Sequence, residues 1–311
     1  MKILVTGGAG FIGSQVAAAY VKDGHDVTVV DNLSTGFLKN VPGEAIFIKG
    51  DVNSTLMDKI FRDSAFDFVN HHAAQVNVRV SVEDPVKDAE LNILSTVNLL
   101  KLSARHGIKH FIFVSSGGAI YGEQESFPAK ETHKQEPVSP YGITKMAGEH
   151  YCRFFSCAHG LRTTCLRYAN VYGPRQSPIG EAGVVAVFAS CMLQGKTAVI
   201  NGSGDQTRDY IYVGDVVEAN RQVILKNVTG SYNIGTGKET SVNQIFDLIK
   251  KHTGSNQERV HREAKKGEQP RSVLDASLFM KTTGWEPAVK VENGIGLTVD
   301  FFRNENSSAY A

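Results

Sequence analysis

The sequence predicts an α/β fold, a doubly wound parallel sheet with a smaller α/β lobe towards the C-terminus. Three observations predict it. Short, partly β-branched apolar runs recur through the first half, separated by stretches of helical pattern. A turn carrying Gly7, Gly8, Gly10 and Gly13 follows the first run and opens the first helical stretch. The second run ends on an acid, Asp31, 18 residues past Gly13. Strands alternating with helices through short connections are what a parallel sheet covered on both faces requires.

The 311 residues suffice for one large or two moderate domains. The expected division is a cofactor domain, 1–167 with 212–235 returning to it, and a lobe from 168–211 and 236–311. Apolar content of 41% and charged content of 21% are ordinary for a soluble protein. A net charge of +1 points to neither a nucleic acid nor an anionic membrane as partner. Cys152, Cys157, Cys165 and Cys191 form no C-x-x-C pair, so a reduced, cytoplasmic protein is expected. The first strand begins at residue 2 or 3, which leaves no room for a signal peptide. The longest apolar run, Val184–Leu193, falls well short of the ~20 residues that span a bilayer.

In order, Ile3–Val5 reads as a buried strand and Gln15–Tyr20 begins a helix. Asp26–Asp31 is the second strand, 32–43 a polar loop and Ala45–Gly50 the third strand. Phe66–Ala74 is the fourth. A long helix over 84–106 starts at Asp84-Pro85, an N-cap followed by proline at the first position, and Gly107 ends it. His110–Ser116 is the fifth strand, and 117–140 reads as a long polar loop. Ser139-Pro140 opens a helix running to about Ala158. Thr163–Arg167 is the sixth strand, followed by a Gly/Pro-punctuated loop over Tyr168–Gln176. Beyond it the pattern predicts a helix over 182–194 and a strand near 198–201; the stretch Arg208–Val213 follows, then a helix from Asp215, a strand over Ser231–Gly235 and a helix from Ser241 to Lys251. A charge-rich stretch over 254–272 and a helix around Ile295–Phe302 complete the chain.

The glycine turn places backbone N–H groups and a helix N-terminus where a pyrophosphate can sit. Gly8, Gly10 and Gly13 satisfy G-x-G-x-x-G; Gly7, Gly10 and Gly13 satisfy G-x-x-G-x-x-G. Asp31 can accept hydrogen bonds from ribose hydroxyls and would repel a 2′-phosphate. No Arg or Lys lies between Asp31 and Gly36 to hold one, so the expected cofactor is NAD rather than NADP. Ligands of such sheets lie beyond the carboxyl ends of the strands, which lines up Gly7–Gly13, Asp31, Asp51-Val52, Ala73-Ala74 and Ser115-Ser116 along one crevice. Asp51 reads either as a partner for the adenine amino group or as a cap near Ser54. His71 and His72 have no third ligand nearby and read as packing residues, with no metal site. Tyr141 and Lys145, at i and i+4 where a helix starts, share one face. An ammonium beside a phenol favours phenolate, so Tyr141 is expected to have a lowered pKa and to act as a base.

With these motifs the chain resembles the extended short-chain dehydrogenases/reductases, in the NAD-dependent sugar epimerase/dehydratase group, whose fold is Rossmann-type. The resemblance covers essentially the whole chain. It rests on Gly7–Gly13, Asp31, Asp51-Val52, His72-Ala73-Ala74, Asn92, Ser115-Ser116, Tyr141–Lys145, Arg167–Arg175 and Arg208-Asp209-Tyr210. Ser116–Gly122 and Gly180–Ala186 look most like the members that epimerise UDP-glucose at carbon 4. The resemblance implies cofactor contacts from Gly7, Gly10, Phe11, Ile12, Gly13, Asp31, Asn32, Ser34, Thr35, Gly36, Asp51, Val52, His72, Ala73, Ala74, Asn92, Ser115, Tyr141, Lys145 and Tyr168. It implies that carbon 4 of a UDP-sugar is oxidised in place and reduced from its other face, with Tyr141 as base. Asn170 falls where diphosphate is held, and Arg208 is placed to pair with phosphate; the blander readings are a loop cap and an ion pair with Asp209. Val185, Val199 and Asn201 fall where uracil and its ribose are held.

Two positions depart from the family pattern. The serine or threonine of the catalytic set is Gly117 here, leaving its role to Ser116, Ser115 or water. A second phosphate-binding arginine is Lys265, near which Arg271 could substitute. Ser272 stands where some relatives carry a bulky residue, which leaves room for an N-acetyl group. Dehydratases of the group carry Thr-Asp-Glu where this chain has Gly117-Gly118-Ala119, which argues against dehydration. A UDP-glucuronate epimerase or decarboxylase, and a non-catalytic NAD-sensing protein, are the alternatives. The family also implies a homodimer through helices around 84–106 and 141–158.

Overall fold

The computed structural model describes residues 1–179, 183–264 and 269–308. The first six strands are β1 (Lys2–Thr6), β2 (Asp26–Asp31), β3 (Ile46–Lys49), β4 (Phe68–His71), β5 (His110–Ser116) and β6 (Arg162–Tyr168). Then come β7 (Asn170–Tyr172), β8 (Val199–Asn201), β9 (Thr207–Arg208), β10 (Tyr210–Tyr212) and β11 (Gly230–Ile234). β1 to β6 and β11 form one parallel sheet in the order β11-β6-β5-β4-β1-β2-β3. The chain winds outward from β1 in one direction and from β4 in the other. The crevice between their carboxyl ends is therefore the switch point where such sheets take ligands.

The helices are α1 (Phe11–Lys22), α2 (Leu56–Ser64), α3 (Val78–Glu83), α4 (Pro85–Ala89), α5 (Ser95–Arg105), α6 (Gly117–Ile120) and α7 (Pro140–His159). They are followed by α8 (Val184–Leu193), α9 (Val213–Lys226), α10 (Val242–Thr253), α11 (Ser277–Thr283) and α12 (Val291–Ser308). One face of the sheet buries Val16, Ala17 and Tyr20 of α1 with Val216, Ala219 and Val223 of α9. The other buries Ile60 and Phe61 of α2, Leu99 and Leu100 of α5, and Cys152 and Phe155 of α7. A separate core joins Tyr172, Val185, Phe188, Tyr210, Ile245, Phe246, Ile295 and Val299. Around it β8 pairs with β13 (Val260–Arg262), and β9 lies between β12 (Thr240–Ser241) and β14 (Arg271–Ser272).

Several elements differ from the sequence reading. The stretch 117–140 begins with α6, which its two leading glycines hid because glycine disfavours helix. The loop read over Tyr168–Gln176 contains β7, paired in parallel with β10. The fourth strand ends at His71, and α3 and α11 were not foreseen. The helix over 84–106 carries a π turn at Glu90–Leu94. Its cause is local: the Ser95 and Thr96 hydroxyls donate to the carbonyls of Leu91 and Asn92, displacing the regular ladder.

Candidate active site

The glycine turn is shaped by what leaves no room for side chains. Gly7 stands at φ +69°, and a β-carbon there would lie 2.5 Å from the Ala73 nitrogen. One on Gly13 would lie 2.4 Å from the Gly7 carbonyl oxygen. Helix α1 has no side-chain cap and no acid in its first turn. Its first N–H groups, of Phe11, Ile12 and Gly13, precede the bond from Ser14 N–H to Gly10 O. A bare, positive helix end at the switch point fits a pyrophosphate.

Asp31 is buried at the end of β2, where Oδ2 accepts from Ala9 N–H at 3.0 Å and Oδ1 from Leu33 N–H at 2.8 Å. Each oxygen keeps a lone pair for a ribose hydroxyl. Asn32, Ser34 and Thr35 are exposed beside it, and Gly36 passes close over Ala9. Asp51 accepts from Asn53 N–H at 2.8 Å and its carbonyl from Ser54, so the capping geometry is present there. Val52, Ala73 and Ala74 are half-buried along the same edge. His72, held neutral by burial with its pKa near 3, has no partner for Nε2; His71 sits between the hydroxyls of Thr6 and Thr96. Among the described residues no group of three or more His, Cys, Asp or Glu could hold a metal ion.

Three predicted cofactor residues have their polar atoms engaged inside the protein. Asn92 bonds Gln75, Asp88 and Thr144, so it holds the 73–75 turn against α7. The Ser115 hydroxyl donates to Glu149 at 2.6 Å. The Tyr168 hydroxyl accepts from Asn220 at 2.7 Å in the core.

Tyr141 and Lys145 lie in the first turns of α7, whose start is capped by the Ser139 hydroxyl. The Ser116 side chain lies beside the Tyr141 phenol and acts to lower its pKa. The Lys145 ammonium donates to Val114 O at 2.9 Å and stands 5.1 Å from the Phe113 ring centre and 5.8 Å from that of Tyr141. The expected lowering of the tyrosine pKa is not present in the protein alone. Burial pushes Tyr141 up to about 12 against the effect of Ser116, and burial brings Lys145 down to about 8. The lysine is committed to a carbonyl and is itself weakened as a cation, so it cannot set the phenol alone. Gly117 cannot supply the missing hydroxyl without movement, because a β-carbon there would meet Leu274 Cδ1 at 2.4 Å.

At the far end Asn170 is exposed on β7 and Arg208 half-buried on β9. Arg208 donates to Thr207 O, while Asp209 turns inward to accept from Thr236, Gly237 and Leu274. The alternative Arg208–Asp209 ion pair is thus replaced by a buried carboxylate held by backbone. Ser272, buried, stands opposite Arg208 in the β9–β14 pairing. Arg271 pairs with Glu239 and stacks 3.8 Å from the centre of the Phe127 ring. Asn201 and Arg271 line an open cavity of about 350 Å³ with Ser203, Asp205, Gln206 and Pro270. Val199 is half-buried beside it, whereas Val185 is packed in the lobe core. Lys265 and residues 180–182 lie outside the described residues.

Sequence reasoning missed Asp88, a carboxylate only 1% exposed that accepts from Gln75, Asn92 and Thr144. Its position four residues before Asn92 on one helix was the available signal.

Residues 3–235 match the model of the NAD dependent epimerase/dehydratase family. The chain is 38% identical to a UDP-glucose 4-epimerase of Mycolicibacterium smegmatis, over 98% of this chain and all of that one. Among solved structures it is similar to the UDP-glucose 4-epimerase of Thermotoga maritima with UDP-glucose, at TM-score 0.96 and 47% identity over 98% of this chain and 100% of the other. It is also similar to the Thermus thermophilus UDP-glucose 4-epimerase in complex with NAD, at 0.93 and 42% over 97% and 99%.

Proposed function

The chain belongs to the NAD-dependent epimerase/dehydratase family, and from that premise we propose that it is an isomerase that inverts carbon 4 of a UDP-sugar, with UDP-glucose and UDP-galactose as its pair. The observation that carries this reading is the Tyr141 phenol in the first turns of α7, with Ser116 beside it and the Lys145 ammonium 5.8 Å from its ring centre. NAD, when bound, would supply reversible hydride transfer. Gly7, Gly10, Gly13 and the start of α1 would hold its pyrophosphate, and Asp31 its ribose.

Tyr141 takes the proton of the sugar 4-hydroxyl and later returns it from the same oxygen. Ser116 orients that oxygen, in the place of the hydroxyl missing at Gly117. Lys145, which does not ionise the phenol alone, stands beside it on the same face of α7 and adds positive charge there. Arg208, Asn170 and Lys265 hold the diphosphate, and Val199 and Asn201 hold the uridine; Val185 backs them from the core. Residues 168–211 and 236–311 form this sugar-nucleotide lobe on the cofactor domain. The small Ser272 beside Arg208 leaves space for the N-acetylated pair as a second substrate. The enzyme works in the cytoplasm, where its buried thiols Cys152 and Cys165 stay reduced. It works as a homodimer through α5 and α7.

The test is a panel of UDP-glucose, UDP-N-acetylglucosamine and UDP-glucuronate, with products resolved by NMR. Interconversion of the first pair without added NAD is expected. Conversion of UDP-glucuronate alone would move the enzyme to the acidic sugars. Tyr141→Phe should lower kcat by at least about 10³ while NAD remains bound. Unchanged turnover in that variant would sink the mechanism.

A further inference from the structure

Arg175 leaves β7 behind Gly173-Pro174 and stands at φ +69°, a left-handed conformation that a side-chain-bearing residue adopts only at a cost. Its guanidinium, half-buried, donates from Nη1 to Ser14 Oγ at 3.1 Å and to Asn40 O at 3.0 Å. Asn40 is itself buried, and its Nδ2 donates to Ala9 O at 3.2 Å, an oxygen that also accepts from Phe37 N–H at 3.0 Å. One residue before Arg175, Pro174 O accepts from Gln15 Nε2 at 2.9 Å. A strand of the lobe is thus stapled to the first turns of α1 and to the 37–40 turn. Those two segments meet at Ala9, whose N–H donates to Asp31.

The hydrogen-bond partners of Arg175 are neutral oxygens, which take their direction from the guanidinium, while the Glu305 carboxylate acts on it through charge alone. A planar guanidinium nitrogen can serve two acceptors at once in a fixed geometry, which neither a lysine nor a neutral side chain of that length reproduces. The 32–41 segment crosses over the glycine turn, with Gly36 pressed on Ala9. Lifting it away from the turn breaks the Asn40–Ala9 bond and the Arg175–Asn40 bond together. We propose that Arg175 is a positioning residue for the cofactor: it locks the 37–40 turn onto the glycine turn and slows escape of the dinucleotide between turnovers. The inference rests on the NAD site proposed above.

The test is NAD release from the purified holoenzyme in the absence of any sugar nucleotide, with freed NAD trapped by an external dehydrogenase. Arg175→Gly removes the guanidinium while glycine accepts the left-handed φ without strain. Release is expected to be faster by about 10-fold or more, with activity lost on desalting and restored by added NAD. Arg175→Lys should fall between the two. Lys39→Ala breaks the exposed Lys39–Glu305 pair on the same segment, at 2.6 Å, and should leave release within about 2-fold. Release unchanged in Arg175→Gly, or accelerated equally in Lys39→Ala, overturns the proposal. Should Arg175→Gly fail to fold, an unchanged rate in Arg175→Lys overturns it in the same way. Because no sugar is present, a protein that holds NAD but epimerises nothing would defeat the proposed function and leave this inference standing.

Discussion

Burial holds the Lys145 ammonium to a pKa of about 8, where an unfolded chain would keep it charged to 10.5. Between those values the unfolded state binds more protons, so this residue makes stability rise with pH through the window. At neutral pH the folded protein bears the full cost of the buried charge, on the order of 3 kcal/mol. Lys145→Met should remove that slope. Thermal denaturation of NAD-free protein should show the parent gaining on the variant from about pH 8 to about pH 10, while the variant loses at least about 100-fold in turnover. Parallel pH curves would contradict a buried, titrating ammonium. Tyr141 and Lys145 were legible in the sequence because their i, i+4 spacing encodes a shared face. The network around Asp88 was not, because it joins Gln75, Asp88, Asn92 and Thr144, each an ordinary helix or loop residue when read alone. The direction of the Tyr141 shift was misread for a related reason: spacing gives proximity to a charge but not the depth of burial, and burial is the larger effect.

Helix α7 carries the proposed catalytic pair, Tyr141 and Lys145, at one end and an anchor, Glu149, about one turn beyond Lys145. Glu149, buried, accepts from Arg167 of β6, with the closest contact at 2.6 Å, and from Ser115 of β5. Arg167 also donates to the Tyr121 hydroxyl and Glu131 O. Glu149→Gln leaves a buried guanidinium without its counter-charge. A loss of about 3–5 kcal/mol is expected in denaturant unfolding, with a kcat close to the parent's well below the midpoint. A change under about 1 kcal/mol would mean that the network relaxes around the loss. At this scale the sequence conveyed the strands and long helices of the sheet, since period and capping residues are local signals. It did not convey α6, β7 or the π turn. Their hydrogen bonds depend on a tertiary partner, or on side chains that compete with the backbone.

On the outside of the molecule, Leu94 at the end of the π turn and Phe154 of α7 are each 54% exposed, and Val86 of α4 with Ile143 and Tyr151 of α7 are exposed as well. Apolar side chains along packed helices at such exposure suit a second copy of the same face. Paired substitution Leu94→Asp with Phe154→Asp should halve the mass measured by light scattering. A parent that is already monomeric would rule out the dimer.

The order of strands also governs how the protein can be made. β11, which completes the sheet beside β6, comes 62 residues after Tyr168, once β7 to β10 have been laid down (230 − 168). On the ribosome, six strands can assemble while one edge of β6 lacks its neighbour, and an unpaired edge invites pairing with other chains. The nascent chain is therefore most exposed to association late, when most of the cofactor crevice has already been synthesised. A stall in translation before β11 would leave that edge uncovered.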